Sequence, residues 1–367
     1  MAIIKKTSEA DFYGVPVAGF PLILNGDYSV NWLALNWLLD TYAEGAVVST
    51  LGTYAQQLGD FLSQLAVDGI GLQDVHDAWI LAYRSELIGR GNTRSYAAQV
   101  CRTVLAYLHW LEQERYVYNL IGEGSAFRIR IKMGKSGKMS HPAVKVSSSV
   151  KAARPKPRAE WINAIKPFGP QGSHLAARFE LMIDWGVSLA LRAHEITNLK
   201  IEKLPSLETA LKALDGGYGL TVTLDVTKGS KPRTVPASPF LIKNTWEYIY
   251  TDREEVIRLM RQRHGSKDFK DPGFVFLSSK TGDALCPRAF SNQVKSAWWK
   301  AVGEGILTED EEVWTHGLRH YSANTNLKTL QAAGVSRADV VVRQIMGHST
   351  ENALDSYIDI DGGQSRV

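Results

Sequence analysis

Two histidines, an arginine and a tyrosine stand at set places in one short stretch of the chain. It reads Thr315-His316-Gly317-Leu318-Arg319-His320-Tyr321, then Met346-Gly347-His348-Ser349, then Ser356-Tyr357. The spacing of His316, Arg319 and His320 puts all three on one helix face near its start, where backbone N–H groups favour anions. A guanidinium fork matches the oxygens of a phosphodiester. The set could therefore neutralise a phosphodiester and attack it.

Further candidates lie upstream. Arg192 follows the apolar helical pattern Asp184–Leu191, and Glu195 comes three residues later, close enough to brace its guanidinium. Lys228 sits in Thr227-Lys228-Gly229-Ser230-Lys231, a turn between the alternating strand 219–226 and the returning Arg233-Thr234-Val235-Pro236. A lysine at a hairpin tip is ordinarily a solvated turn residue.

The elements that must position these groups are mostly helical. Residues 31 to 114 carry four helical patterns, the clearest being Leu51, Tyr54, Leu58, Phe61, Leu62 and Leu65 on one face. They predict an all-α four-helix domain over 29–127, with Ser49 or Thr50 capping the second helix and Gly69 ending it. Residues 1–28, punctuated by Gly14, Pro16, Gly19, Pro21 and Gly26, are expected to form an extended arm or irregular cap. From 159 to 367 helical patterns cover 159–165, 175–191, 240–263 and 288–302 and resume near His316 and Arg337, with one small antiparallel sheet and a short extended segment at 273–277. The expectation is a mainly α chain of two domains, the second a mixed α/β domain.

Residues 128–158 differ in composition. They hold Arg128, Arg130, Lys132, Lys135, Lys138, Lys145, Lys151, Arg154, Lys156 and Arg158 and no acidic residue. This reads either as a solvated, disordered linker or, since ten cations without an acid exceed what solubility needs, as a basic linker lying along a phosphate backbone, where each neutralised phosphate releases counterions. The net charge of +4 is too small to announce nucleic acid by itself; its placement carries the argument. No apolar run of about 18 residues exists to span a membrane, and Met1-Ala2-Ile3-Ile4-Lys5-Lys6 lacks the apolar core of a signal peptide. Cys101 and Cys286 are far apart and give no metal-ligand spacing. A reducing cytosol is the expected compartment.

Taken together, Leu191-Arg192-Ala193-His194-Glu195-Ile196, Thr227-Lys228-Gly229-Ser230-Lys231-x-Arg233-x-Val235-Pro236, His316-x-Leu318-Arg319-His320 and Met346-Gly347-His348-Ser349 followed by Tyr357 resemble the motifs of the tyrosine recombinases, the phage integrase family. They stand in the family's order. The resemblance covers 159–357 by motif and the four-helix region by position and pattern. It implies a SAM-like core-binding domain joined to a catalytic domain of the DNA breaking-rejoining type. It also implies roles. Tyr357 attacks the scissile phosphate and leaves a 3′-phosphotyrosyl bond. Arg192 and Arg319 bind the phosphoryl oxygens, Lys228 protonates the departing 5′-oxygen, and His316 and His348 hydrogen-bond the phosphate, one of them accepting the tyrosine proton. Glu195 holds the site together, Lys231 is a runner-up for Lys228, and His320 is a supporting residue. No cofactor or metal is called for, since two arginines supply the charge. The implied partners are double-stranded DNA with an inverted-repeat site, further copies of the chain (a dimer on one site, a tetramer in synapsis) and other recombinases of the same mobile element. Ala190 stands where the family usually has Gly, and Met346 where it has Leu; these touch packing more than chemistry.

Two other readings stay open at this point, and a third, a structural helical protein with an incidental basic linker, leaves the spaced motifs unexplained. One is a type IB topoisomerase-like enzyme that only relaxes DNA. The other is a DNA-binding accessory protein with an inactive site.

Overall fold

The structure is a computed structural model that describes residues 1–12, 14–135, 137–146, 155–225, 232–265 and 269–347. The chain divides into two compact units, residues 1–150 and 151–367.

The first unit begins with four short strands, β1 (Ile3–Lys6), β2 (Ala10–Phe12), β3 (Val15–Val17) and β4 (Pro21–Leu24). β1 pairs antiparallel with β4, Ile3 opposite Leu24, and β2 pairs with β3. Phe20 and Ile23 are buried, and the rings of Phe12 and Phe20 meet the edge of Tyr42 at 5.2 and 6.1 Å. The arm or irregular cap expected for residues 1–28 is thus corrected: this stretch is part of the unit's core. Strands of three or four residues are too short to reveal a period of two.

Four helices follow, α1 (Trp32–Ala43), α2 (Val48–Asp68), α3 (Asp77–Gly89) and α4 (Arg94–Gln113). Asn31 and Thr93 cap α1 and α4, their side-chain oxygens accepting from the N–H groups of Ala34 and Tyr96 at 3.0 and 3.2 Å. α2 opens at Val47 rather than at Ser49 or Thr50, and it stops at Gly69 as expected. Leu51, Leu58, Phe61 and Leu65 face inward on the predicted stripe.

The linker expectation changes at its first half. Two short pairs, β5 (Ile121–Gly122) with β6 (Ile129–Arg130) and β7 (Lys132–Met133) with β8 (Met139–Ser140), fold against the helices. Ile129, Ile131 and Ala143 enter the same core. Asp77 at the start of α3 accepts from Arg130 at 2.9 Å and lies 3.1 Å from His141 Nε2, and Arg84 donates to the Lys145 carbonyl at 2.7 Å. The cations Lys132, Lys135, Lys138 and Lys145 are exposed on this folded flap. The acidic partner Asp77 stands in α3, 53 residues upstream of Arg130, so the composition of 128–158 alone does not show it. Lys151 and Arg154 lie outside the described residues. Lys156 and Arg158 lead into the second unit, Arg158 stacking over Trp161 at 5.4 Å.

That unit runs α5 (Ala159–Ile165), α6 (Ser173–Leu189), α7 (Ala193–Thr197), α8 (Leu207–Gly216), β9 (Leu220–Leu224), β10 (Arg233–Ala237), α9 (Pro239–Tyr248), α10 (Glu254–His264), α11 (Pro287–Gly303), α12 (Thr315–Ala332) and α13 (Ala338–Met346). β9 and β10 form the antiparallel pair, Val222 opposite Val235. α9 and α10 are the one long expected helix, interrupted by a π turn at 249–253. α8 had no counterpart in the sequence reading, because its buried residues are only Ala210 and Ala213. Trp185, Phe179, Phe276, Phe290 and Leu318 fill the main core. A second cluster of Ala190, Ala323, Leu327, Ala338, Val342 and Met346 packs α12 and α13 onto the end of α6. Among the described residues no helix is long and apolar enough to cross a membrane.

If residues 1–28 are core, Ile23→Ala should cost about 2–5 kcal/mol, as a buried truncation does. Urea unfolding followed by circular dichroism measures this, and a cost under about 0.5 kcal/mol would restore the arm.

Candidate active site

The corner between α6 and α7 sets the site. α6 ends at Leu189, and Ala190 takes a left-handed conformation with φ 51° and ψ 34°. For a residue with a Cβ this costs about 1–2 kcal/mol, which explains why glycine suits the position better. Burial of the Ala190 methyl against Ala323 and Met346 offsets part of that cost. The reversal makes Arg192 the residue that opens α7 and places Glu195 in its first turn. Glu195, only 2% exposed, accepts the Arg192 backbone N–H at 2.7 Å and the Arg192 guanidinium at 3.1 Å. It also accepts Nη2 of Arg233, from the first residue of β10, at 2.8 Å. A carboxylate this deep needs such partners, since an isolated buried charge costs several kcal/mol.

α12 brings in the second arginine. Its start is fixed by a 3.0 Å hydroxyl contact between Thr315 and Ser291. It packs closely on α6 at Gly186, where a Cβ would come within 3.2 Å of Leu318. Arg319 is fully buried. It donates one terminal nitrogen to the carbonyl of Ala190 and the other to that of Met346, the latter at 2.6 Å. Those are the C-termini of α6 and α13, where unsatisfied carbonyls and the helix dipole favour a cation. Arg233 Nη1 donates in turn to the carbonyl of Ile345. α13 stops at Gly347, φ 64°. A Cβ there would lie 2.9 Å from Arg233 Nη1 and 3.0 Å from its Cδ, so both the backbone and the neighbour require glycine.

His316 is exposed at the surface beside this cluster, its ring only partly desolvated. Burial first, then the Arg319 and Arg192 charges, hold its pKa below the ordinary histidine value. His194 is lowered in the same direction by burial and by Arg192, Arg233 and Arg319, against the opposing pull of Glu195. Both imidazoles are therefore neutral near pH 7. His320 stacks edge-on against His316 at 5.1 Å and lies 6.3 Å from Trp314, a supporting position.

Of the expected residues, Arg192, Glu195, His316 and Arg319 come together. Lys228, His348 and Tyr357, with the runner-up Lys231, lie outside the described residues. Sequence reasoning gave no role to Arg233 or His194. Arg233 had a readable sign: it shares a strand face with the buried Val235 and Ala237, and a cation on the apolar side of a strand needs a partner. Two guanidiniums on one carboxylate, with Arg319 held nearby by carbonyls, leave an excess of positive charge suited to the additional negative charge of a phosphoryl-transfer transition state.

The depressed histidines make a linkage prediction. Below about pH 6.5 the unfolded chain binds more protons at His316 and His194 than the folded chain does. Their share of stability is complete above that pH and is lost as pH falls through the lower folded-state values. His316→Gln should therefore flatten the fall in Tm between about pH 6.5 and 5; a slope equal to wild type would show that His316 is not held neutral.

The sequence model of the phage integrase family matches residues 160–362. Solved structures share the fold. XerH site-specific recombinase bound to a palindromic difH substrate is 17% identical, with a TM-score of 0.53, covering 87% of this chain and 78% of that one. A lambda integrase tetramer bound to a Holliday junction is 14% identical, with a TM-score of 0.53 and coverages of 91% and 79%. The Tn1549 transposon integrase (residues 82–397) in complex with circular intermediate DNA is 16% identical, with a TM-score of 0.52 and coverages of 89% and 95%. No curated protein matches.

Proposed function

The chain belongs to the phage integrase family, the tyrosine recombinases, and on that premise we propose that it cuts and rejoins DNA at specific sites through a 3′-phosphotyrosyl intermediate on Tyr357. The observation that supports this reading is that Arg192, braced by the Glu195 carboxylate, and Arg319, held by the carbonyls of Ala190 and Met346, both lie close enough to His316 to lower its pKa.

In the proposed reaction the Tyr357 oxygen bonds to the scissile phosphorus and the bond to the 5′-oxygen breaks. The phenol proton passes to His316 or His348. Lys228 gives a proton to the departing oxygen, since an ammonium of pKa about 10.4 readily protonates an alkoxide. Arg192, with a fifth of its side chain exposed, presents its fork to the non-bridging oxygens, and Arg319 adds charge from behind. The tyrosyl ester keeps the energy of the original phosphodiester, so rejoining needs no nucleotide. The proposed substrate is double-stranded DNA with an inverted-repeat site on the nucleoid of a prokaryotic host. A dimer occupies one site and a tetramer forms the synapse, in integration, excision or transposition of a mobile element. Relatives captured on DNA, one as a tetramer on a Holliday junction, support this partner class.

The test is covalent capture on a nicked duplex carrying a site that the protein itself selects from random DNA. Wild type should yield a nuclease-sensitive slow band that Tyr357→Phe abolishes. An adduct that persists in Tyr357→Phe removes Tyr357 as nucleophile, and plasmid relaxation without synapsis would favour a topoisomerase.

The exposed flap lysines make a separate prediction. Neutralising Lys132, Lys135 and Lys138 together should lower the slope of log affinity against log salt by about one for each phosphate that is no longer neutralised. An unchanged slope in a filter-binding titration would show that the flap does not touch DNA.

A further inference from the structure

We propose that Arg233 is a positioning residue for strand cleavage, tying the Arg192–Glu195 corner to the C-terminal turn of α13; this rests on the functional reading above. Arg233 lies on the buried face of β10 and is 13% exposed at its side chain. Its two terminal nitrogens serve different elements. Nη2 donates to Glu195 Oε2 at 2.8 Å, and Nη1 donates to the Ile345 carbonyl, one residue before the end of α13. Glu195 in turn holds Arg192 through both its backbone N–H and its guanidinium. A displacement of the α13 turn therefore passes through one planar guanidinium to the carboxylate that orients Arg192.

Three features make the tie specific to arginine. A fork with donors on separate nitrogens reaches a carboxylate and a carbonyl at once, whereas a lysine ammonium offers its donors from a single point. Gly347 has no side chain at the place where a Cβ would press on Nη1 and Cδ of Arg233, so the guanidinium lies directly against the turn. Glu195 also needs the second cation, because without it one guanidinium is left to neutralise and hydrogen-bond a fully buried carboxylate. In sequence, the next residue after this turn is His348 and Tyr357 follows it, while Lys228 precedes Arg233 by five positions. Arg233 thus sits where the roots of the nucleophile segment and of the proton-donor segment meet the Arg192 corner.

The experiment measures single-turnover cleavage of the same nicked duplex at saturating protein, beside DNA affinity and Tm. Arg233→Lys should cut the cleavage rate about 10- to 100-fold, the usual effect of losing a residue that orients a reacting group. Affinity should stay within about threefold, since the charge is kept. The double variant Glu195→Gln, Arg233→Lys should be no slower than Glu195→Gln alone, because both act through one carboxylate. Gly347→Ala, which keeps Arg233 but displaces it, should slow cleavage with the salt slope unchanged, and it serves if Arg233→Lys fails to fold. The assignment is overturned by a folded Arg233→Lys cleaving at the wild-type rate, by a loss that adds in full to that of Glu195→Gln, by a loss matched by falling affinity, or, where Arg233→Lys does not fold, by Gly347→Ala cleaving at the wild-type rate. Absence of any wild-type adduct overturns the functional reading and the assignment with it, whereas a wild-type adduct with an unimpaired Arg233→Lys overturns the assignment alone.

Discussion

The carboxylate of Glu195 is the constraint on which the catalytic unit is built. It is buried, and it accepts three N–H groups from Arg192 and Arg233. Removing the cations would strand an anion in the core, and removing the anion would leave guanidiniums that repel one another; either change costs several kcal/mol. That mutual need fixes the α6–α7 corner, with the left-handed strain at Ala190. It also fixes the face of β10 that turns inward, since only one parity brings Arg233 to Glu195.

The helix dipoles enter differently from what spacing suggests. His316 and Arg319 near the start of a helix point to an anion site at that N-terminus. In the structure the arginines are held instead by carbonyls at two C-termini, Ala190 of α6 and Ile345–Met346 of α13. The negative ends of two helices position these two cations, Arg319 and Arg233, while Arg192, the more exposed guanidinium, is held by Glu195. The backbone thereby stabilises guanidiniums that burial would otherwise disfavour, as the lowered pKa of Arg233 registers.

What was legible in the sequence follows from this arrangement. Arg192, Glu195, His316 and Arg319 could be read because helical spacing is local and because their motifs occur in order. Arg233 escaped because its partners, Glu195 and Ile345, are far from it in sequence, and a cation beside a polar turn reads as solvated. The same limit hid the flap: Arg130 and His141 find their acid in Asp77, on another element, so the basic run read as an open linker. The strands of residues 1–28 and the alanine-faced α8 were missed for a simpler reason. Neither shows an apolar period long enough to stand out, although both bury side chains in a core.

The charge excess also decides what His316 can do. Partial desolvation and the nearby Arg319 and Arg192 charges hold its pKa below the ordinary histidine value, and only a neutral imidazole can accept a proton from a phenol. The same repulsion opposes that acceptance as long as the site is empty. An arriving phosphodiester brings a negative charge, and the transition state brings more, which offsets the guanidinium field at the ring and raises its affinity for a proton. In the proposed reaction, proton acceptance by His316 is therefore favoured only when phosphate is in place, so that the arginines both bind the substrate and keep the base idle in its absence.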